Sequence, residues 1–235
     1  MKMNPGLSNR LSEKLTTSSS LSVDIDARLR LKTNGSSPPV QLGVWQKGGA
    51  SWVGDSSWVV SPAFSETPTA VVSQAYHKEW DLLLTSFDRK DATGLGFVRE
   101  LSIKNQSREE KRIKLLMHQQ NPQFYEGVTF YAPAERALIH HLEESFALFS
   151  VHMPTTTHLQ YGAGSLEKNW CAEEGRLFFA PFSAQTIESM VTASFTLAPE
   201  QEAKGHAWML AGEQLTSVQE AHSYLSEAYR RSSGL

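Results

Sequence analysis

Two stretches of this 235-residue sequence combine aromatic rings with polar side chains in a way that suits carbohydrate binding: AYHKEW and MHQQNPQFYEG. The apolar face of a pyranose ring matches a flat aromatic ring, and the sugar hydroxyls need hydrogen-bonding groups nearby. The residues that we predict to contact a carbohydrate are Tyr76, Trp80, His118, Gln120, Phe124 and Tyr125. The alternative is that these rings pack in the core or against a sheet.

Acid–base chemistry on a sugar has weaker support in the sequence. Glycoside hydrolysis needs two carboxyl groups that flank the scissile bond. The adjacent pairs are Glu109–Glu110, Glu143–Glu144 and Glu173–Glu174. Each pair lies in a charged turn, where solvent keeps both groups ionised and mobile, so we expect no catalytic residue among them.

Histidines offer one further route. Acid–base chemistry by a histidine paired with a glutamate could use His118, His140 or His152, but no motif supports that pairing. His140 and His141 are neighbours on a strand and therefore point to opposite faces. His158 has no carboxylate or cysteine beside it, so we predict no metal site.

The sequence gives no support for cysteine chemistry or for binding of a cofactor. The single cysteine, Cys171, allows no intrachain disulfide, and a lone thiol is usually inert. The sequence has no Walker loop and no GxGxxG, GxSxG or HExxH motif, so we expect no cofactor.

A net charge of -3 predicts neither a nucleic acid nor a membrane partner. Without an apolar run of signal-peptide or spanning length, we expect a cytoplasmic protein.

Alternation with period two predicts that strands must position these residues. Leu21, Val23 and Ile25 share one face, before a turn at Asn34–Gly35. A hairpin is predicted around Gly48–Gly49, with Trp45, Trp52 and Trp58 in its arms as packing residues. Two further arms place Leu101 and Ile103, then Ile113, Leu115 and Met117, around a charged connection from Asn105 to Lys111.

Two more hairpins are predicted further along the chain. One is RALIHHLEESFALFSV, and the other is TIESMVTASFTLAPEQEAKGHAWMLAG, where Ile187, Val191, Phe195 and Leu197 alternate before a turn at Pro199. Many antiparallel strands joined by polar turns predict sheet packed on sheet, because each apolar face must be covered.

A helix of about four turns is predicted at the end of the chain. Ser217 and Glu220 have the spacing of a capping box, and apolar residues follow at helical spacing: Val218, Ala221, Leu225, Ala228 and Tyr229. The sequence leaves open whether this stripe covers its own sandwich, another copy or an absent domain. The predicted organisation is a loose lead-in over residues 1–20, a β domain over residues 21–212 and the helix over residues 213–235.

The chain resembles the N-terminal β-sandwich domain of bacterial and archaeal glucoamylase-type hydrolases, glycoside hydrolase family 15, including glucodextranases. The pieces that carry this resemblance are LSVDIDARLRL, LGVWQKGGASWVGDSSW, GFVRELSIKNQSREEKRIKLLMHQ, TFYAPAERALIHHL and APFSAQTIESMVTASFTLAPEQEAKGHAWMLAGEQLTSVQEAHSYL. The resemblance implies an all-β antiparallel super-sandwich, like that of galactose mutarotase-like domains, with one C-terminal helix.

In that family a linker helix leads from the sandwich to an (α/α)6 barrel, which carries both catalytic acids. The resemblance therefore implies that the terminal helix is linker-like and that the barrel is missing here. Where family members carry an aromatic loop, this sequence has KTNGSSPPVQ, which favours a stand-alone domain over a truncated enzyme.

We thus expect a non-catalytic accessory domain that binds an oligosaccharide or glucan. The first alternative is a protein-interaction or homo-oligomerisation domain, a homodimer or a complex with a separate protein, that uses the surface normally covered by the barrel. The second alternative is a mutarotase-type epimerase.

Overall fold

The computed structural model describes residues 13–16, 22–33, 38–67, 70–120, 127–184 and 187–232. Phe124, Tyr125 and the predicted turn at Asn34–Gly35 lie outside these residues. The elements follow one another as β1 (Glu13–Thr16), β2 (Ser22–Ile25), β3 (Leu31–Thr33), β4 (Val40–Gln46), β5 (Gly49–Trp52), β6 (Trp58–Thr67), β7 (Ala70–His77), β8 (Leu82–Lys90), β9 (Gly96–Asn105), β10 (Lys111–Gln120), β11 (Val128–Ala132), β12 (Ala137–Leu142), β13 (Ser145–His152), β14 (His158–Ala163), α1 (Leu166–Asn169), β15 (Trp170–Cys171), β16 (Arg176–Leu177), β17 (Phe182–Ser183), β18 (Glu188–Leu197), β19 (Glu202–Gly212) and α2 (Leu215–Ser232).

The strands form two antiparallel sheets and one small hairpin, β15–β16. The eight-stranded sheet has the order β1-β2-β3-β4-β10-β18-β14, with β5 paired on β4. The nine-stranded sheet has the order β17-β11-β12-β13-β19-β9-β8-β7-β6. The all-β antiparallel sandwich predicted from the alternating pattern is confirmed.

The core lies between the two sheets and follows the predicted alternation. Ile113, Leu115 and Met117 of β10 point into it, whereas Leu116 points to the opposite face. Leu101 and Ile103 of β9 meet them from the other sheet. Period two therefore identified the inner face of both central strands correctly.

The predicted hairpins have different outcomes. The first, β4–β5, is confirmed: Gln46 pairs with Gly49, and Gly48 has a φ of 111° that favours glycine. The hairpin β12–β13 is also confirmed, with Leu142 opposite Ser145.

The hairpin predicted for β18 and β19 is wrong, because the two strands lie in opposite sheets. The arms β9 and β10 are divided between the sheets in the same way. Alternation identifies the apolar face of a strand but not its partner, and a polar connection can cross between sheets as well as turn within one. The β9–β10 and β18–β19 connections are therefore crossings between the sheets.

Helix α2 packs on the sandwich itself. Its residues Val218, Ala221, Leu225 and Tyr229 cover the outer face of the nine-stranded sheet, where they meet Trp208 among others. Ala228, predicted to lie in this stripe, is exposed, and His222 is buried instead, with Nδ1 accepting a hydrogen bond from Trp208 Nε1 at 3.1 Å.

The predicted start of this helix is also corrected. The helix begins at Leu215, so Ser217 lies inside the first turn and is not the N-cap. Leu215 packs against the cluster beneath the helix, a contact that the local capping pattern does not reveal. Within the described ranges, neither helix combines the length and hydrophobicity that a bilayer crossing needs.

The outer face of the eight-stranded sheet is covered by residues from the segment between β14 and β18. Leu166, Trp170 and Leu177 pack there with Trp45 and Trp52. Trp45 Nε1 donates to the carbonyl of Ala172 at 2.6 Å, and Trp58 is buried in the inter-sheet core. The prediction that Trp45, Trp52 and Trp58 serve packing agrees with these contacts, but Trp58 is not in an arm of the first hairpin, because it begins β6 in the nine-stranded sheet.

One strand lies inside the predicted lead-in. Residues 13–16 form β1, which pairs antiparallel with β2, so this part of residues 1–20 is not loose. Main-chain pairing at a sheet edge requires no regular apolar pattern, which is why the serine- and threonine-rich sequence did not reveal the strand.

Candidate functional site

Of the predicted sugar-binding residues that the structure describes, Tyr76 and Trp80 lie in β7 and the turn after it, in the nine-stranded sheet, whereas His118 and Gln120 lie in β10 of the eight-stranded sheet. Leu82 at the start of β8 pairs with Asn105, so the β7–β8 turn, which carries Trp80 and follows Tyr76 at the end of β7, lies beside the crossing into β10. His118 follows the start of β10 by seven residues, about 23 Å along a strand. The structure therefore does not bring Tyr76 and Trp80 together with His118 and Gln120.

Tyr76 and Trp80 have packing partners of their own. The Tyr76 hydroxyl donates to Asp81 Oδ1 at 2.7 Å. The Trp80 ring stacks on His77 with centroids 4.2 Å apart, and the His77 ring contacts Trp58 edge-on. These contacts support the packing alternative for this pair of rings.

His118 pairs with Glu188 on the outer side of the eight-stranded sheet. His118 Nε2 lies 2.9 Å from Glu188 Oε1, and both residues are buried. The backbone N–H of Leu166 donates to the same oxygen at 2.9 Å. Burial by itself raises the pKa of Glu188, but the hydrogen bonds from His118 and Leu166 outweigh it and hold the pKa below its ordinary value.

This pair bears on the epimerase alternative, because it joins a histidine to a glutamate as that reading requires. The two groups face one another, however, and one carboxylate oxygen accepts both hydrogen bonds. An acid and a base that open a sugar ring must each contact the sugar. Neither His118 nor Glu188 lines the cleft described below.

The other candidate groups remain dispersed. The three glutamate pairs predicted to lie in solvated turns are exposed. His140 is buried, with Nε2 2.9 Å from Ser189 Oγ, whereas His141 stacks on Phe146 with centroids 4.4 Å apart. Among the described residues, no three His, Cys, Asp or Glu side chains group closely enough to hold a metal ion.

An aromatic cleft of about 480 Å³ opens at the side of the sandwich where β11 approaches β14. Its walls come from both sheets and from the segment after β16. The lining residues are Tyr131, Arg136, Thr156, Thr157, His158, Leu159, Gln160, Tyr161, Leu177 and Phe179.

Three rings shape this aromatic cleft. Tyr131 stacks on Tyr161 with centroids 4.7 Å apart and an interplanar angle of 28°. Phe179 meets Tyr131 edge-on, at 6.0 Å and 86°. Tyr161 is only 6% exposed and Phe179 is 68% exposed, so the rings run from the core to the solvent. Such a perpendicular pair offers both a floor and a wall to a flat ligand.

Main-chain hydrogen bonds hold Phe179 across the open edge. The carbonyl of Ala180 accepts from Ala163 N at 2.7 Å, and the carbonyl of Pro181 accepts from Tyr131 N at 2.9 Å. Phe182 of β17 pairs with Phe130 of β11. Residues 178–183 are thus tied to both sheets, and this is what positions an exposed phenylalanine beside two tyrosines.

Polar groups surround the rings, and one of them is unsatisfied. Gln160 is fixed, because its Nε2 donates to the carbonyl of Leu177 at 3.1 Å. The buried hydroxyl of Tyr161 has no hydrogen-bond partner among the described residues, and burial raises its pKa. An unpaired buried hydroxyl is costly, and since this oxygen is closed off from the cleft, a buried water is the partner that fits it.

The sequence did not identify this cleft. Tyr131, Tyr161 and Phe179 are far apart in the chain, and no local spacing links them. The available signal was the run RLFFAPF, where three phenylalanines lie outside any alternating pattern and beside a proline. Exposed rings in such a run are unusual for a packed strand.

No protein-family model matches this sequence, and no curated protein matches it. Among solved structures, it is similar to a bacterial glucoamylase complexed with acarbose, with a TM-score of 0.67 and 7% identity over 90% of this chain and 33% of that one. It is also similar to a protein described as a kojibiose phosphorylase from the human microbiome, with a TM-score of 0.51 and 10% identity over 94% of this chain and 29% of that one.

At such low identity the likeness concerns the fold alone. The chain spans about a third of the length of either protein. The fold resemblance to a glucoamylase-type sandwich, which the order of the sequence pieces predicted, is confirmed.

Proposed function

We propose that this chain is a non-catalytic carbohydrate-binding domain and that the aromatic cleft is its binding site. The observation that carries the proposal is the exposed ring of Phe179, held perpendicular to Tyr131 above the buried Tyr161. A cleft of about 480 Å³ falls within the ~300–1,000 Å³ of small-ligand sites. Sugar rings pack on such aromatic faces, and the polar lining residues Arg136 and His158 supply hydrogen-bonding groups for the sugar hydroxyls.

The names of the two similar structures fit the same ligand class. One is a glucoamylase in complex with acarbose, and the other is described as a kojibiose phosphorylase. An oligosaccharide or glucan is therefore the ligand class that we propose for this chain as well.

Calorimetric titration of the full chain with maltooligosaccharides and dextran fragments tests this proposal. Phe179→Ala removes the exposed wall and should weaken binding roughly tenfold, given ~0.5–1.5 kcal/mol for an aromatic contact beyond area burial. Phe182→Ala is the matched control, because Phe182 is 59% exposed on the same segment but does not line the cleft. Equal weakening by both substitutions, or no heat from any ligand, would remove the proposal.

The non-catalytic part of the proposal has a separate test. We expect no release of glucose from maltooligosaccharides and no acceleration of α-glucose mutarotation followed by polarimetry. The self-engaged His118–Glu188 pair supports this expectation. Accelerated mutarotation that His118→Ala abolishes would favour the epimerase alternative instead.

Association is the second candidate function, and one observation favours it. Phe178, Phe179 and Phe182 are 43%, 68% and 59% exposed within five residues of chain. Clustered exposed rings mark interaction surfaces as well as ligand sites. Light scattering separates the two functions: a dimer that Phe182→Ala disrupts, without any glycan binding, would support the interaction domain.

A further inference from the structure

A second cavity lies directly beside the aromatic cleft. Its volume is about 380 Å³, and its lining includes Arg136, His152 and Arg230. We call it the basic cavity. Three residues, Arg136, Thr156 and Leu159, line both the basic cavity and the aromatic cleft. One extended ligand can therefore occupy the two spaces together.

The two arginines of the basic cavity come from different elements. Arg136 ends the turn between β11 and β12, where its φ of 53° places the backbone in the left-handed region. Arg230 lies in the last turn of α2, the helix that packs on the nine-stranded sheet. The packing of that helix is what brings the second guanidinium to the cavity.

Neither arginine is neutralised by the protein. In the part of the chain that the structure describes, no carboxylate lies within ion-pair distance of Arg136 or Arg230. Arg231, the next residue on the helix, pairs instead with Glu227. Two guanidinium groups at one cavity repel each other, and an anion between them relieves that repulsion.

The other titratable groups of the basic cavity do not cancel this charge. His152 is half-buried, and burial, followed by repulsion from Arg230 and from Arg136, lowers its pKa, so it is neutral at pH 7. Glu135 is the one carboxylate among the lining residues, and its Oε1 accepts from Gln219 Nε2 at 2.6 Å. The described lining thus carries two positive charges against one negative charge.

We propose that the basic cavity binds the anionic substituent of an acidic oligosaccharide whose neighbouring sugar ring lies in the aromatic cleft. The substituent is a carboxylate or a sulfate or phosphate ester, since the planar fork of arginine suits all three. This inference rests on the proposed carbohydrate site and deepens it, because it selects acidic over neutral glycans.

Calorimetry with matched ligands tests the charge preference. Tetragalacturonate and its fully methyl-esterified form share one backbone and differ in charge. We expect the acid to bind roughly tenfold more tightly than the ester at low salt, with the difference shrinking as salt screens exposed charges. Sulfated and phosphorylated maltotetraose, compared with maltotetraose, identify which anion is preferred.

Arginine variants locate the effect. Arg230→Gln should lower the affinity for tetragalacturonate about fivefold to tenfold and leave the ester unchanged, because Arg230 does not line the aromatic cleft. Arg136→Gln should weaken binding of the acid more than binding of the ester, because Arg136 lines both spaces. Arg231→Gln is the control, because it removes the same charge from the adjacent helix position but does not line the basic cavity. Circular dichroism and melting curves check that the variants fold.

Several outcomes would overturn the inference. Equal binding of acid and ester would remove it, and would leave the carbohydrate proposal intact if Phe179→Ala still weakened both. Tetraglutamate binding that is insensitive to Phe179→Ala would indicate an acidic-peptide site, and binding of inorganic phosphate without any glycan would indicate a free-anion site. Absence of binding by any glycan would defeat both proposals.

Discussion

The side-chain amide of Asn105 donates a hydrogen bond to the carbonyl oxygen of Leu197, 92 residues further along the chain, at 3.0 Å. The same nitrogen contacts the carbonyls of Ala198 at 3.1 Å and of Glu109 at 2.7 Å. Glu109 belongs to the crossing from β9 to β10, and Ala198 to the crossing from β18 to β19. One fully buried side chain therefore ties together these two of the crossings between the sheets.

Asn105→Ala should destabilise the protein by about 3 kcal/mol, because several carbonyls lose their donor at a buried position. Urea denaturation followed by tryptophan fluorescence measures this change. Asn169→Ala is the matched control: its Nδ2 makes one bond, to the carbonyl of Ala163 at 2.9 Å, and its loss should cost about 1 kcal/mol. Equal effects would show that Asn105 does not join the crossings.

The helix α2 should stabilise the sandwich on which it lies. Leu225→Ala leaves a cavity between the helix and Trp208 and should cost about 2–4 kcal/mol. Tyr224→Ala on the same turn removes a side chain that is 57% exposed, and should change the stability by less than about 0.5 kcal/mol. Denaturation midpoints of the two variants compare these effects directly. A neutral Leu225→Ala would contradict the packing.

Stability should fall in mild acid because of His140. Burial lowers the pKa of this side chain to about 3, from 6.5 in the unfolded chain. Since the folded-state pKa is depressed, the contribution is fully present above pH 6.5 and is lost as the pH falls towards 3. The slope of one such group is about 1.4 kcal/mol per pH unit.

His140→Gln should reduce that slope between pH 6.5 and pH 4, whatever it does to stability at neutral pH. Glutamine is chosen because its amide N–H can donate to Ser189, as the histidine does. Ser189 Oγ donates to Gln119 Oε1 at 3.0 Å, and it therefore accepts a hydrogen bond from His140 Nε2. The control variant is His158→Gln, which replaces an exposed histidine in the same way. Denaturation curves at several pH values measure both slopes.

The sequence predicted much of the fold because apolar residues that alternate along a strand show directly which of its side chains are buried. Ile113, Leu115 and Met117 alternate, and all three enter the core. The partner of a strand is not encoded locally, which is why β18 and β19 were predicted as one hairpin. The start of α2 at Leu215 was missed for a related reason: a tertiary contact of Leu215, not a capping pattern, accompanies the first turn.

The candidate site could not be predicted from local patterns in the sequence. Aromatic and polar neighbours in the sequence predicted Tyr76 and Trp80 as ligand contacts, but those side chains contact Asp81 and His77. The rings of the cleft are brought together only when residues 178–183 bridge the two sheets. A site assembled from three separate segments leaves no spacing that a single sequence can reveal.

The β9–β10 and β18–β19 crossings also affect how fast the protein folds. β9 and β19 pair in one sheet while β10 and β18 pair in the other, so the central pairs of both sheets join residues roughly 70 to 115 positions apart in the chain. Local collapse cannot complete either sheet, because each awaits a strand made much later. Such high contact order predicts slow folding, on the scale of milliseconds to seconds.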